Sequence, residues 1–123
     1  MADQGKAFRQ RKGYSNGELY SWPEMTTGEV GQWVYSHSFG DRCVTCIGTF
    51  GSASISWEGT NDDPNDPGTP VAFPLHDVFG NLLTTAVNEG KSVLQTPLAM
   101  RPKVSGGSGV SVTPQMFARR TQR

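Results

Sequence analysis

Residues 52–58, S-A-S-I-S-W-E, alternate without a break. Ala53, Ile55 and Trp57 fall on one side of an extended chain, and Ser52, Ser54, Ser56 and Glu58 on the other. A period of two belongs to a β-strand with one dry face and one wet face. Residues 42–50, R-C-V-T-C-I-G-T-F, read as a second strand that meets the first at Phe50-Gly51, so the two together read as a hairpin. Such a unit makes the chain a β-sandwich or barrel candidate. Nothing in it has the look of a catalytic constellation, which points to a protein that acts as a surface.

The same reading extends along the chain. Short strands are expected over 18–22, 29–35, 91–95, 98–105 and 110–118. Residues 71–78 read as a strand broken at Pro74, hence an edge or bulged one; Pro102 argues in the same way for 98–105, and Pro114 interrupts the last strand. Residues 82–87 fit a short strand or a helical turn. The segment 59–70 holds three Asp, two Asn and three Pro and reads as a loop. The sum is about eight short strands separated by turn signals, with no convincing amphipathic helix and no internal repeat. At 123 residues this is one domain. Only 35% of residues are hydrophobic, and 15 Gly and 8 Pro imply many turns. That balance fits short strands with long connections, or a body that completes its burial against a partner. Residues 1–16 are polar, basic and aperiodic; they read as an extended arm, leaving 17–123 as the sandwich domain.

Net charge is zero but segregated. Residues 13–89 carry ten acids against one base, Arg42, while the bases crowd into both ends. Basic ends suit docking on an acidic protein surface. Only Phe8 and Phe117 are interleaved with those bases, so a nucleic-acid partner is not expected. The start of the chain has no apolar signal-peptide core, and no stretch approaches the ~20 apolar residues of a membrane helix, so no membrane partner is expected.

Candidate chemistry is sparse. Cys43 and Cys46 are spaced C-x-x-C, but on a strand they point to opposite faces with Cα atoms about 10 Å apart, too far for a disulfide. Two free thiols are expected, Cys46 beside Val44 on one face and Cys43 on the other. The Asn61–Asp66 acidic run lacks the ligand spacing of a calcium loop and reads as turn formers. His37 and His76 have no nucleophile placed beside them, and no phosphate, dinucleotide or metalloprotease motif occurs. No enzyme activity, cofactor or metal is expected. Trp57 is expected in the core, and Trp22, before Pro23, as an exposed contact.

Two runs carry a family resemblance. D-R-C-V-T-C-I-G-T-F-G-S-A-S-I-S-W-E-G-T-N-D over 41–62 and M-R-P-K-V-S-G-G-S-G-V-S-V-T over 100–113, with the basic Ala118-Arg119-Arg120, resemble segments of small structural proteins of tailed bacteriophages, most like capsid decoration (cement) proteins. They cover about a third of the chain. The resemblance implies an antiparallel β-sandwich of jelly-roll type on the capsid exterior of the virion, made in the host cytoplasm. It implies a homodimer or homotrimer bound to the major capsid protein. Lys6, Arg9, Arg11 and Lys12, with Arg119 and Arg120, are the expected capsid contacts. A tail or head–tail connector protein is an alternative, as is a carbohydrate-binding adsorption module. The chain departs from the discoidin-like glycan motif G-S-N-D-G-x-x-W, because Asp62 is followed by Asp63-Pro64-Asn65.

Overall fold

The computed structural model describes residues 7, 9–14, 17–36, 40–65 and 68–119, with 9–14 described through the backbone alone. Those residues form strands β1 (Arg9–Tyr14), β2 (Gly17–Ser21), β3 (Val34–Tyr35), β4 (Asp41–Thr49), β5 (Ser54–Thr60), β6 (Phe73–Pro74), β7 (Thr84–Thr85), β8 (Glu89–Ser92), β9 (Ala99–Ser105) and β10 (Ser111–Arg119). One sheet has the order β1-β2-β10-β4-β8; the other has the order β3-β9-β5-β6, with β7 also on β5. Every strand pair is antiparallel. Setting β1 aside, the two sheets have the orders β2-β10-β4-β8 and β3-β9-β5-β6, which is the jelly-roll arrangement.

The expected strands at 42–50 and 52–58 are present, but they are not a hairpin. β4 belongs to the first sheet and β5 to the second, so the turn between them is an arch from one sheet to the other. The physical reason lies in what each strand buries. Val44 and Cys46 of β4 and Ile55 and Trp57 of β5 are all buried in one core, and facing sheets bring four such residues together where adjacent strands cannot. The Ser105–Gly109 turn is a second arch, and the two stack. Ser108 N–H donates to the Gly51 carbonyl at 3.0 Å. A Cβ at Gly51 would stand 2.0 Å from the Ser108 oxygen, and one at Gly107 would stand 2.7 Å from the Ala53 nitrogen; both glycines also have positive φ.

Two prolines sit in central strands, against expectation. β9 lies between β3 and β5 and is not an edge, and β10 lies between β2 and β4. Within an antiparallel ladder a residue's N–H and C=O face the same neighbour. The Pro102 carbonyl accepts from Gly31 and the Pro114 carbonyl from Trp22. Each missing N–H therefore faces a side where β3 or β2 has given way to loop. β6, with Pro74, is at an edge as expected. Within the expected arm, Arg9–Tyr14 is sheet: β1 pairs with β2, with a bulge between Gln10 and Lys12. The sheet thus begins eight residues before the expected domain boundary at Gly17, because the β2 edge offers a free ladder.

The core joins the sheets through Trp22, just after β2, and Trp57 of β5. Their rings meet edge to face, 5.4 Å between centroids at 76°. Trp22 is fully buried, which corrects the expectation of an exposed contact, and its Nε1–H donates to the Gln32 carbonyl at 3.0 Å. The Trp57 Nε1 and the Thr85 Oγ1 are buried without a partner. Thr85→Val removes an unsatisfied hydroxyl at nearly constant shape and should stabilise the fold by about 1 kcal/mol in urea unfolding. Trp57→Ala should cost about 3–5 kcal/mol in the same measurement.

Candidate interaction surface

Register assembles one continuous surface on the outer face of the first sheet. Residues directly opposite in antiparallel strands share a face. One row runs Leu19, Phe117, Cys43, Ser92 across β2, β10, β4 and β8. The next runs Gly17, Arg119, Asp41. Beyond β8 the sheet is continued by the segment around His76. Asp77 bridges to Val93, His76 bridges to Leu82, and Leu94 N–H donates to the His76 carbonyl at 2.9 Å. The first row therefore ends on Val78 and the second passes through Leu94 and His76 to Leu82.

This far end is apolar and wet. Val78 is 51% exposed, Leu82 55%, Leu94 53% and Phe79, at the tip of the turn, 87%. The turn that carries Phe79 is fixed from inside. The buried Asp77 carboxylate accepts from Phe79 N–H at 2.9 Å and Asn81 N–H at 3.0 Å, and Gly80 N–H donates to the Asp77 carbonyl at 3.0 Å. Four exposed apolar side chains at one end of a sheet, one on a braced turn, form the kind of patch that marks an interaction site.

Gln95 braces the same segment. Its Oε1 accepts from His76 N–H at 2.7 Å, and its Nε2 lies 2.9 Å from His76 Nδ1. The Gln95 carbonyl accepts from Arg42 Nη2. Arg42 is 3% exposed, and its Nε and Nη1 have no partner. Burial pushes its pKa down from the ordinary guanidinium value, opposed by Asp41. A buried arginine held by one carbonyl is a costly choice for stability and serves here to hold the β8–β9 connection against β4.

Between the apolar end and β10 lies an open hollow of about 430 Å³, lined by Asp41, Arg42, Cys43, Val78, Phe117 and Arg119, among others. Its rim carries the Arg119–Asp41 ion pair, 3.0 Å and half-exposed on both sides. Arg101 is likewise engaged: it pairs with Glu58 at 3.0 Å and covers the Trp33 ring at 4.2 Å. Two of the bases after residue 90, Arg101 and Arg119, thus meet acids of the 41–58 segment across the ladders. Of the expected contacts, Lys6 and Arg120 lie outside the described residues. Arg9, Arg11 and Lys12 fall on β1, whose backbone alone is described, and Arg119 sits at the hollow with its charge balanced.

The acidic loop fastens itself. Asp63 accepts from Tyr35 O–H and from Asn65 N–H, which holds its carboxyl below the ordinary range. Asp62 accepts from Val71 N–H, and Asn61 accepts from Leu98 N–H. Phe79 and its neighbours are not among the residues that the sequence singles out. The signal was an apolar pair, Val78-Phe79, directly before the Gly80-Asn81 turn, where turns are usually polar.

No family model and no curated protein matches the chain. Among solved structures, it is similar to the SPBc2 prophage-derived protein YomS, with a TM-score of 0.60 at 17% identity over 88% of this chain and 98% of that one. Identity this low makes it a likeness of fold, and it spans nearly the whole of both chains.

Both cysteines are free, Cys43 exposed and Cys46 buried, as the spacing implies. Burial pushes the Cys46 thiol up to about 12, so it stays a thiol at neutral pH. One equivalent of a thiol reagent should react with the native protein, at Cys43, and a second only after unfolding. Peptide mapping that found label on native Cys46 would contradict the packing of β4.

Proposed function

We propose that this protein is a non-catalytic structural protein of a tailed bacteriophage, a capsid decoration (cement) protein that binds the major capsid protein on the outside of the head. The observation that carries the reading is the likeness of this jelly roll, over 88% of the chain, to a prophage-derived protein. The phage-like runs at 41–62 and 100–113 support it from a separate direction: they contain the two arches, residues 50–53 and 105–109, that stack where the chain changes sheets.

A decoration protein needs a rigid body, apolar surface for partners, and charged groups that bring it to the shell. The sandwich supplies the first, and the end bearing Val78, Phe79, Leu82 and Leu94 supplies the second. The basic start of the chain supplies the third. Arg9, Arg11 and Lys12 lie on the outermost strand of the first sheet, so their backbone is anchored at the rim of the body. In this reading the protein works as a homodimer or homotrimer, so that several weak contacts act together. A tail or head–tail connector role uses the same fold and differs in copy number. The glycan-binding alternative loses Trp22 and Trp57 to the core, and the Trp33 ring is covered by Arg101.

Purified protein should co-sediment saturably, at many copies per particle, with empty capsids of its own phage. Binding to only a few sites would indicate a tail or connector component, and no binding would overturn the reading. Exchanging Arg9, Arg11 and Lys12 together for Gln should lower occupancy. So should raising salt until the Debye length falls from about 10 Å to about 3 Å. Occupancy unchanged by both would remove the basic strand from the contact.

A further inference from the structure

We infer that the outer face of the first sheet is a two-fold homodimer interface, in which Phe79 of each copy enters the hollow of the other. This rests on the homo-oligomeric part of the reading above and not on its capsid part.

Knob and hollow lie side by side. Val78 lines the hollow, and Phe79 is the next residue, out on the tip of the turn. A two-fold interface uses one patch on both subunits, so the patch must contain its own complement. A projecting apolar side chain immediately beside a hollow meets that demand. With an axis near Val78, each Phe79 is carried across to the opposite hollow, toward Phe117 and Cys43.

The charges agree. Among the described residues, the rim carries the paired Asp41 and Arg119. Under a two-fold axis each Asp41 can face the second copy's Arg119, so the internal pairs can be exchanged or shared with no charge left over.

The area is adequate. An aromatic side chain buries roughly 150–250 Å², and Phe79 is almost wholly exposed. With Val78, Leu82 and Leu94 the face offers on the order of 400 Å² of apolar surface, within the range of the largest patches on monomers. Two such faces with their hollows and rims reach about 1,000 Å², the lower bound for a specific interface. The rigidity of the turn adds to this. Asp77 fixes the loop before docking, so little ordering remains to be done on association.

Sedimentation velocity of the full chain, without capsids, tests the inference over a wide concentration range. Wild type should form a dimer with a dissociation constant in the micromolar range. Phe79→Ser, at a site too exposed to disturb the core, should weaken the dimer by at least about thirtyfold, the mark of an aromatic anchor. Val71→Ser is the control, since Val71 is 73% exposed but lies beyond this face, and it should leave the dimer intact. Cys43 adds a second readout: its alkylation should slow as wild type dimerises and stay fast in Phe79→Ser. A wild type that is monomeric throughout, a trimer, or a dimer indifferent to Phe79→Ser would overturn the interface. Because capsids are absent, each of those results leaves the capsid reading to its own co-sedimentation test.

Discussion

Strand β10 lies between β2 and β4, and the rest of the body depends on that placement. Its inward side chains, Val112, Met116 and Ala118, are buried in the common core, while Phe117 and Arg119 point out to line the hollow. Nine consecutive residues pair with β4, and five of them pair with β2 as well. Without β10, the first sheet would be split into β1-β2 and β4-β8 and the core would lose one wall. The closing contacts therefore join residues about 60 to 100 positions apart. Such a topology makes folding slow, because loop closure precedes the pairing that rewards it.

The same strand connects stability to surface. Each β10 residue facing in has a neighbour facing out, so the ladder that fills the core also sets the spacing of the outer rows. His76, Leu82 and Leu94 extend those rows beyond β8 through isolated bridges rather than long strands. Such short bridges would be weak alone. Asp77, Gln95 and Arg42 supply the missing rigidity from beneath, which accounts for buried polar groups at this end of the sandwich where apolar residues would serve stability better. The arrangement resembles the support given to binding sites generally, in which outer contacts are held by inner hydrogen bonds.

Charge follows a similar logic. Read along the chain, the bases of the C-terminal segment look available for an external partner. Folded, Arg101 and Arg119 are opposite Glu58 and Asp41 by ladder register. Cross-strand pairs of this kind are worth little individually when exposed. The Arg119–Asp41 pair neutralises its corner of the first sheet's outer face, and Arg9, Arg11 and Lys12 lie on β1 at the edge of that sheet.

How much was legible in the sequence follows from the range of each signal. Alternation in 52–58 and 42–50 determined the strands, the burial of Ile55 and Trp57, and the opposite facing of Cys43 and Cys46, because side-chain direction on a strand is a local property of the backbone. Proline and glycine marked the turns for the same reason. Pairing is not local. Whether the turn at Phe50-Gly51 closes a hairpin or crosses between sheets depends on which strand lies beside β4, and that strand, β10, comes sixty residues later. Trp22, at the end of an expected strand and before a proline, reads as an exposed contact, yet it is the ring that meets Trp57 across the core. The hydrophobic pattern decided what is buried; only the tertiary packing decided against what, and so which apolar residues, Phe79 first among them, were left facing water.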